Sequence, residues 1–403
     1  MPPHPCYGAS NSRAVAPFAI PLLVHSRVVT ASHHILGQSR ALRALGCALA
    51  SGHVHHAWIF HGPAGVGKFR TAEEFARILL DPASTSSNRE RFQAPRDTPC
   101  ARLIDAGTHP DFHVIRKELA GISESRDLRD RKQMNIPLEL LRERMLGGVT
   151  SSGRHHESGV FRTATLGHGK VFIIDEAELL DADGQNAMLK TLEEPPAGTT
   201  IVLVTQQEDR LLPTIRSRCQ RVAFGPLGPQ EMAQWWNTDG PALPDDDKSF
   251  IDSFAEGSPG MATRAVQHGI AAWNAELSPL FDALESGRYP PGLSDRMAEI
   301  ADEFAKSIVD ADDSASKEAA NRLGVRLLAQ LLGLRVRRAL AAAAASSDTG
   351  ALERWVGASE ILAEFEQHVR SAVNLKHAFA NLVAQWVTRL APKQSATGAG
   401  RGR

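Results

Sequence analysis

The 403-residue chain has only four cysteines, no excess of either charge and no apolar run long enough to span a membrane. Each shortage excludes a class of protein. Cys6, Cys47, Cys100 and Cys219 are scattered without a C-x-x-C pair, so they supply neither a disulfide framework nor a zinc ribbon and fit a reducing cytoplasm. The 45 Lys and Arg are balanced by 46 Asp and Glu, so no global field draws the chain onto nucleic acid or an anionic membrane. Any DNA contact is expected to be local or made through partners. A transmembrane helix needs about 20 consecutive apolar residues, and none is present. Residues 14–24 have the apolar character of a signal h-region, but Pro17 and Pro21 interrupt them and no clear small-residue cleavage site follows. Residues 1–31 read as a flexible extension, and 392–403, polar and Gly-rich, as a disordered tail.

One further absence bears on function. Gly62-Pro63-Ala64-Gly65-Val66-Gly67-Lys68 matches a G-x-x-x-x-G-K phosphate loop, but Phe69 stands where a Ser or Thr should follow. In such a loop the glycines let backbone N–H groups wrap phosphate, the Lys reaches the outer phosphates and the hydroxyl ligates Mg²⁺. Phe69 cannot ligate a metal. Thr71 is no substitute, because two residues along a helix, at about 100° each, its side chain faces the opposite side. Ala57-Trp58-Ile59-Phe60 predicts a buried strand before the loop, and Ala72, Phe75, Ala76, Leu79 and Leu80 predict a helix after it. Strand, glycine loop and helix follow in the order that phosphate binding requires.

Val171-Phe172-Ile173-Ile174 predicts a second buried strand, ending on Asp175 and Glu176. In a P-loop nucleotidase the first carboxylate holds the Mg²⁺ shell and the second orients the attacking water. Ile201-Val202-Leu203-Val204 predicts a third strand ending at Thr205, which is either a sensor of the terminal phosphate or an ordinary strand-end hydroxyl. From 35 to 224 short apolar runs alternate with helical segments, the pattern of an α/β parallel sheet flanked by helices. Two stretches, 84–98 and 150–169, read as exposed loops; the second holds His155-His156, taken as solvated. Beyond Pro226, Gly228 and Pro229 the pattern turns helical, with a break at Ser346-Ser347-Asp348-Thr349-Gly350 and a final apolar stripe of Leu375, Phe379, Leu382, Val383, Trp386 and Leu390. Arg335, Arg337 and Arg338 read as a solvated face.

The run Leu212-Pro213-Thr214-Ile215-Arg216-Ser217-Arg218-Cys219 is the most specific feature. It accompanies Ile35-Leu36-Gly37-Gln38, His56-Ala57, Ala106-Gly107-Thr108-His109-Pro110-Asp111, Asp175-Glu176-Ala177-Glu178 and Leu189-Lys190-Thr191-Leu192-Glu193-Glu194-Pro195-Pro196. On these residues the chain resembles the clamp-loader branch of the AAA+ ATPases, and within it the delta-prime family of bacterial DNA polymerase III clamp loaders. The likeness covers 35–224 and is weaker at Gly257-Ser258-Pro259-Gly260 and Asn374-Leu375.

The resemblance implies an AAA+ core over 32–224, a small helical lid over 225–287 and an all-α collar over 288–391. It implies a cytoplasmic subunit of the polymerase holoenzyme's clamp loader, part of a five-membered ring that opens the sliding clamp and places it on primed DNA. Partners would be gamma/tau-type and delta-type subunits, met through the collar and Arg218, with clamp and DNA reached through the complex. Arg218 corresponds to the arginine that projects into a neighbour's ATP site. Gly62, Gly65, Gly67, Lys68, Asp175, Glu176 and Thr205 correspond to a nucleotide site, degenerate at Phe69, so no ATP hydrolysis by this chain and no required cofactor are expected. Relatives often carry four zinc-binding cysteines after the P-loop helix; here only Cys100 stands near that position, and no zinc is expected, with Cys100, His109 and His113 too few and too widely spaced to replace it. The alternatives are an ATP-hydrolysing gamma/tau-type motor using Lys68, Asp175 and Glu176, and a general AAA+ remodeller.

Overall fold

The computed structural model describes residues 35–130, 134–151, 153–312, 315–368 and 374–391. The extension expected at 1–31, Cys6 and the tail expected at 392–403 lie outside them.

Seven strands occur in the described residues: β1 (Ala57–His61), β2 (Phe112–Ile115), β3 (Gly148–Val149), β4 (His155–His156), β5 (Lys170–Ile174), β6 (Thr199–Thr205) and β7 (Gln220–Ala223). Five form a parallel sheet in the order β2-β5-β6-β1-β7. Alternate side chains feed two cores, as the period of a strand requires. Trp58, Phe60, Val171, Ile173, Val202 and Val204 face the helices Ser39–Ala50 and Lys68–Leu80. Ala57, Ile59, Phe172, Ile174, Ile201 and Leu203 face Met188 and Leu192 of the helix Ala182–Glu193. Burial on both faces is why these strands read as continuous apolar runs.

Two expected loops are more ordered than their composition suggests. Within 84–98, Thr85 and Asn88 form a capping box that starts a helix over Ser86–Arg91. Phe92 then turns back through a left-handed backbone (φ 52) and buries against Phe75. Buried Glu74 anchors the segment, accepting from Ala94 N–H at 2.7 Å and from Arg96 at 2.7 Å. Within 150–169, His155 and His156 form β4, paired antiparallel with β3. The following segment is tied down by Asp111, which accepts from Thr165 and Leu166 N–H at 2.7 and 2.8 Å, and by buried Lys170, which donates to Gly159 O at 2.9 Å.

Beyond β7 the described residues are helical. Residues on both sides of the 287/288 division expected from sequence join one apolar cluster running from Leu227 to Leu390. The 29-residue helix Lys317–Ala345 crosses it, and Gln330 Nε2 donates to Phe254 O at 2.8 Å. Phe379, Leu382, Val383, Trp386 and Leu390 of the expected stripe are buried within the same chain, and Trp386 Nε1 donates to Ala358 O. Arg335 is paired with Asp282 and Glu285 at 2.6 and 2.7 Å, and Arg337 is paired with Glu256.

Candidate functional site

In an open parallel sheet, ligands bind beyond the carboxyl ends of the strands. The three predicted strands lie side by side as β5-β6-β1, so Asp175, Thr205 and the glycine loop emerge in one row. They line a cleft of about 390 Å³ together with Leu36, Trp235 and Arg264.

Close backbone contacts fix the shape of the loop. Gly62, with φ 137, has no room for a side chain because a Cβ would sit 2.2 Å from Phe224 O. Gly65, with φ 70, faces Gly260, whose N–H donates to Gly65 O at 2.9 Å; Ser258 Oγ donates to Ala64 O at 2.8 Å. The start of the helix Pro259–Gln267 is thereby clasped onto the phosphate loop. No side chain caps the first turn of Lys68–Leu80, which leaves its N–H groups for an anion. Lys68 is buried and donates from Nζ to Gly62 O and Pro63 O at 2.8 and 2.5 Å. Burial pushes its ammonium down to about 8, against Glu178 and Asp175, which pull it up.

Cationic side chains meet both carboxylates at the end of β5. The Arg116 guanidinium lies over the Phe69 ring, 4.0 Å from its centroid, and donates from Nε to Asp175 Oδ2 at 3.1 Å. Lys117 Nζ donates to Glu176 Oε2 at 2.7 Å. Burial raises the Asp175 carboxyl above its ordinary value, outweighing the opposite pull of Arg116. Glu176 sits in a left-handed backbone, φ 52. Thr205 is buried, and its hydroxyl accepts from Gln207 N–H at 3.0 Å. Thr71 donates back to Gly67 O at 2.9 Å, away from any metal position. Phosphate fits this arrangement. A Mg²⁺ ion does not, because the hydroxyl is missing and cationic side chains of the chain itself engage both carboxylates.

Arg218 lies at the other end of the sheet. It stands two residues before β7, and β7 runs parallel to β1 with Trp58 opposite Gln220. Its neighbours in a shallow hollow are His55, His56 and Glu193, at the start of β1. The glycine loop follows the end of β1, so a five-residue strand, about 16 Å long, separates Arg218 from this chain's own cleft. Arg218 Nη2 donates to Glu193 Oε1 at 2.5 Å and Nη1 to Thr214 O at 2.9 Å. His56 Nε2 contacts Leu192 O at 2.9 Å, and burial holds its pKa below the usual value.

Among the described residues, no group of three His, Cys, Asp or Glu side chains is placed to hold a metal. Cys100 is buried, and its thiol is pushed up to about 11. His109 Nδ1 accepts from Asp111 N–H at 3.2 Å, and His113 stacks on Phe172 at 4.6 Å. Cys219 is half-buried, and Cys47 is exposed.

Comparison with known proteins finds similarity over the sheet-bearing part of the chain. The family model described as "DNA polymerase III, delta subunit" matches residues 37–228. The DNA polymerase III subunit delta' of Pseudomonas aeruginosa is 32% identical over 225 residues, covering 55% of this chain and 59% of that protein. The delta' subunit of Bacillus subtilis is 30% identical over 193 residues, covering 48% and 49%. The core is delta-prime-like. The chain spans about half the length of the delta-prime relatives it matches, 49% and 59% in these two. A gamma/tau subunit of Mycobacterium tuberculosis is 28% identical over 206 residues, 49% of this chain and 29% of that protein. Among solved structures, a DNA polymerase III gamma subunit-related protein of Thermotoga maritima aligns with a TM-score of 0.36 and 16% identity, covering 87% of this chain and 99% of that one.

Several residues of the delta-prime-like core carry the site without having been singled out from the sequence. Arg116 and Lys117 lie 59 positions from their carboxylates, and the one available signal was two basic residues at the end of an apolar run. Glu193 stood inside a quoted motif but had no role until Arg218 was placed beside it. Glu178, the carboxylate that most opposes the effect of burial on Lys68, likewise lies in a motif that gives it no role by itself.

Proposed function

We propose that the chain is a delta-prime-like subunit of a DNA polymerase III clamp loader that hydrolyses no ATP itself and offers Arg218 to a neighbouring ATPase subunit. The observation that carries this reading is the position of Arg218 beside the start of β1, a strand's length from the G-x-x-x-x-G-K loop. An arginine there can serve a triphosphate only if another molecule brings it. The delta-prime relatives supply the assembly in which such a neighbour exists. A trans-acting arginine stabilises the charge that develops on transferring phosphate oxygens, an effect of about 10³ to 10⁵ in rate. Partners on this reading are gamma/tau-type and delta-type subunits, with the sliding clamp and primed DNA met through the complex in the cytoplasm.

The test is a loader reconstituted with this chain or its Arg218→Ala variant. Clamp loading and DNA-stimulated ATP turnover should both collapse in the variant; an unchanged rate removes the finger assignment. The gamma/tau likeness favours a second reading, an ATP-hydrolysing motor. It requires turnover by the isolated chain that disappears in Lys68→Ala.

A further inference from the structure

The cleft beside the glycine loop is lined by Lys68 and Arg264 together with the carboxylates of Asp175, Glu176 and Glu178, and it ends on an apolar wall. Arg116 borders it through Phe69 and Asp175, at the metal position. In a metal-dependent loop, the first carboxylate and the hydroxyl after the Lys hold Mg²⁺, which neutralises phosphate charge. Here both partners of the metal have changed together. Phe69 replaces the hydroxyl, and the carboxylate, Asp175, receives the Nε of Arg116 at 3.1 Å. The two changes are one structure, because the same guanidinium lies on the Phe69 ring at 4.0 Å. A phenylalanine alone would mark a lost site; a phenylalanine that seats a cation against the old metal carboxylate marks a replaced one.

The rest of the cleft suits the same ligand. The guanidinium carries five donors, and its bond to Asp175 uses one of them. Arg116 keeps 42% of its side-chain surface exposed. Lys68 rests on the carbonyls of Gly62 and Pro63, within its own loop, and the first turn of its helix is uncapped. At the other end Leu36, Leu227 and Trp235 offer an apolar wall to a planar ring. We infer that this cleft binds a nucleoside polyphosphate without a divalent metal, Arg116 and Lys68 together supplying the positive charge. The inference rests on the glycine loop being a phosphate cradle and not on the role of Arg218, so the two can fail separately.

The experiment is a titration of the full chain with fluorescent N-methylanthraniloyl-ADP and -ATP, in EDTA and in excess Mg²⁺, with unlabelled nucleotide as competitor. Saturable, competable binding is expected in EDTA, no weaker than in Mg²⁺. Arg116→Ala should weaken it roughly tenfold or more in EDTA, the scale of one charged hydrogen-bonding partner. Phe69→Leu keeps apolar bulk but loses the ring face, and should weaken it about two- to fivefold, with a wild-type melting profile confirming that the variant is folded. No competable binding in either buffer overturns the inference. So does binding that needs Mg²⁺, or binding in EDTA that neither substitution alters.

Discussion

Arg218 and Glu193 stand 2.5 Å apart, joined across 25 residues of chain. The guanidinium proposed to serve a neighbour is therefore docked on the last residue of this chain's own helix Ala182–Glu193. Their side chains are 34% and 50% exposed, and ion pairs of this kind are worth about 0–1 kcal/mol. Such a contact can hold the side chain in place, and on the proposed role a neighbour's triphosphate would displace it at small cost.

Substitution at the two positions should accordingly have unequal effects in a reconstituted loader. Glu193→Gln should raise ATP turnover or leave it within about fivefold, the most that a surface pair can withhold. Arg218→Ala should reduce it by about 10³. Arg218→Lys should recover little, since an ammonium lacks the planar fork. Equal losses at Glu193 and Arg218 would mean that the pair acts as one structural unit.

Restoring the missing hydroxyl should not restore an ATPase. Phe69→Thr leaves Arg116 and Lys117 free to keep engaging Asp175 and Glu176, so phosphate release should stay at background with Mg²⁺ present. Replacing all three, with Arg116→Ser and Lys117→Ser added, should make nucleotide binding respond to Mg²⁺. Turnover by the single variant would show that the ion pairs do not block the metal position.

Gly260→Ala offers a test of sign. Alanine in a helix is ordinarily more stable than glycine by about 1 kcal/mol. Gly260, however, lies in the first turn of Pro259–Gln267, and a Cβ there would meet Gly65 Cα at 2.6 Å. The substitution should therefore lower the melting temperature and loosen the clasp on the phosphate loop. A raised melting temperature would show that the two backbones are not held together.

Lys68 should leave a signature in alkali. Its folded pKa, about 8, lies below the ordinary 10.5, so between these values the unfolded chain binds more protons than the folded one. Stability therefore rises with pH across that window. The thiols of Cys100 and Cys219 shift the opposite way, which makes a difference measurement necessary. The stability of wild type relative to Lys68→Met should improve from pH 8 towards pH 10, as measured by denaturant titration. A flat difference would place Lys68 in water.

The parts of this fold that were legible in the sequence are those specified by near neighbours. Ala57-Trp58-Ile59-Phe60 and Val171-Phe172-Ile173-Ile174 are buried on both faces, so composition alone marks them as strands. The glycine loop is written in consecutive residues for the same reason. Arg116 was not legible, because its meaning comes from Asp175 across the gap between β2 and β5. The segment 84–98 misled for a similar cause: its polar composition hides Phe92 and Ala94, whose burial depends on Phe75 and Glu74 in another helix. In the sequence, Phe69 shows only that a metal ligand is missing from the loop. Its contact with Arg116 is visible only in the fold.

β1 has a mechanical meaning that neither of its ends reveals alone. The glycine loop hangs from one end of this strand, and the hollow of Arg218 opens at the other. Between them run five residues hydrogen-bonded to β6 and β7 on either side. A strand paired on both edges bends less readily than a free one. The two sites form the tips of one stiff bar: a tilt of the core that lifts one must swing the other, with no signal needing to travel through the interior.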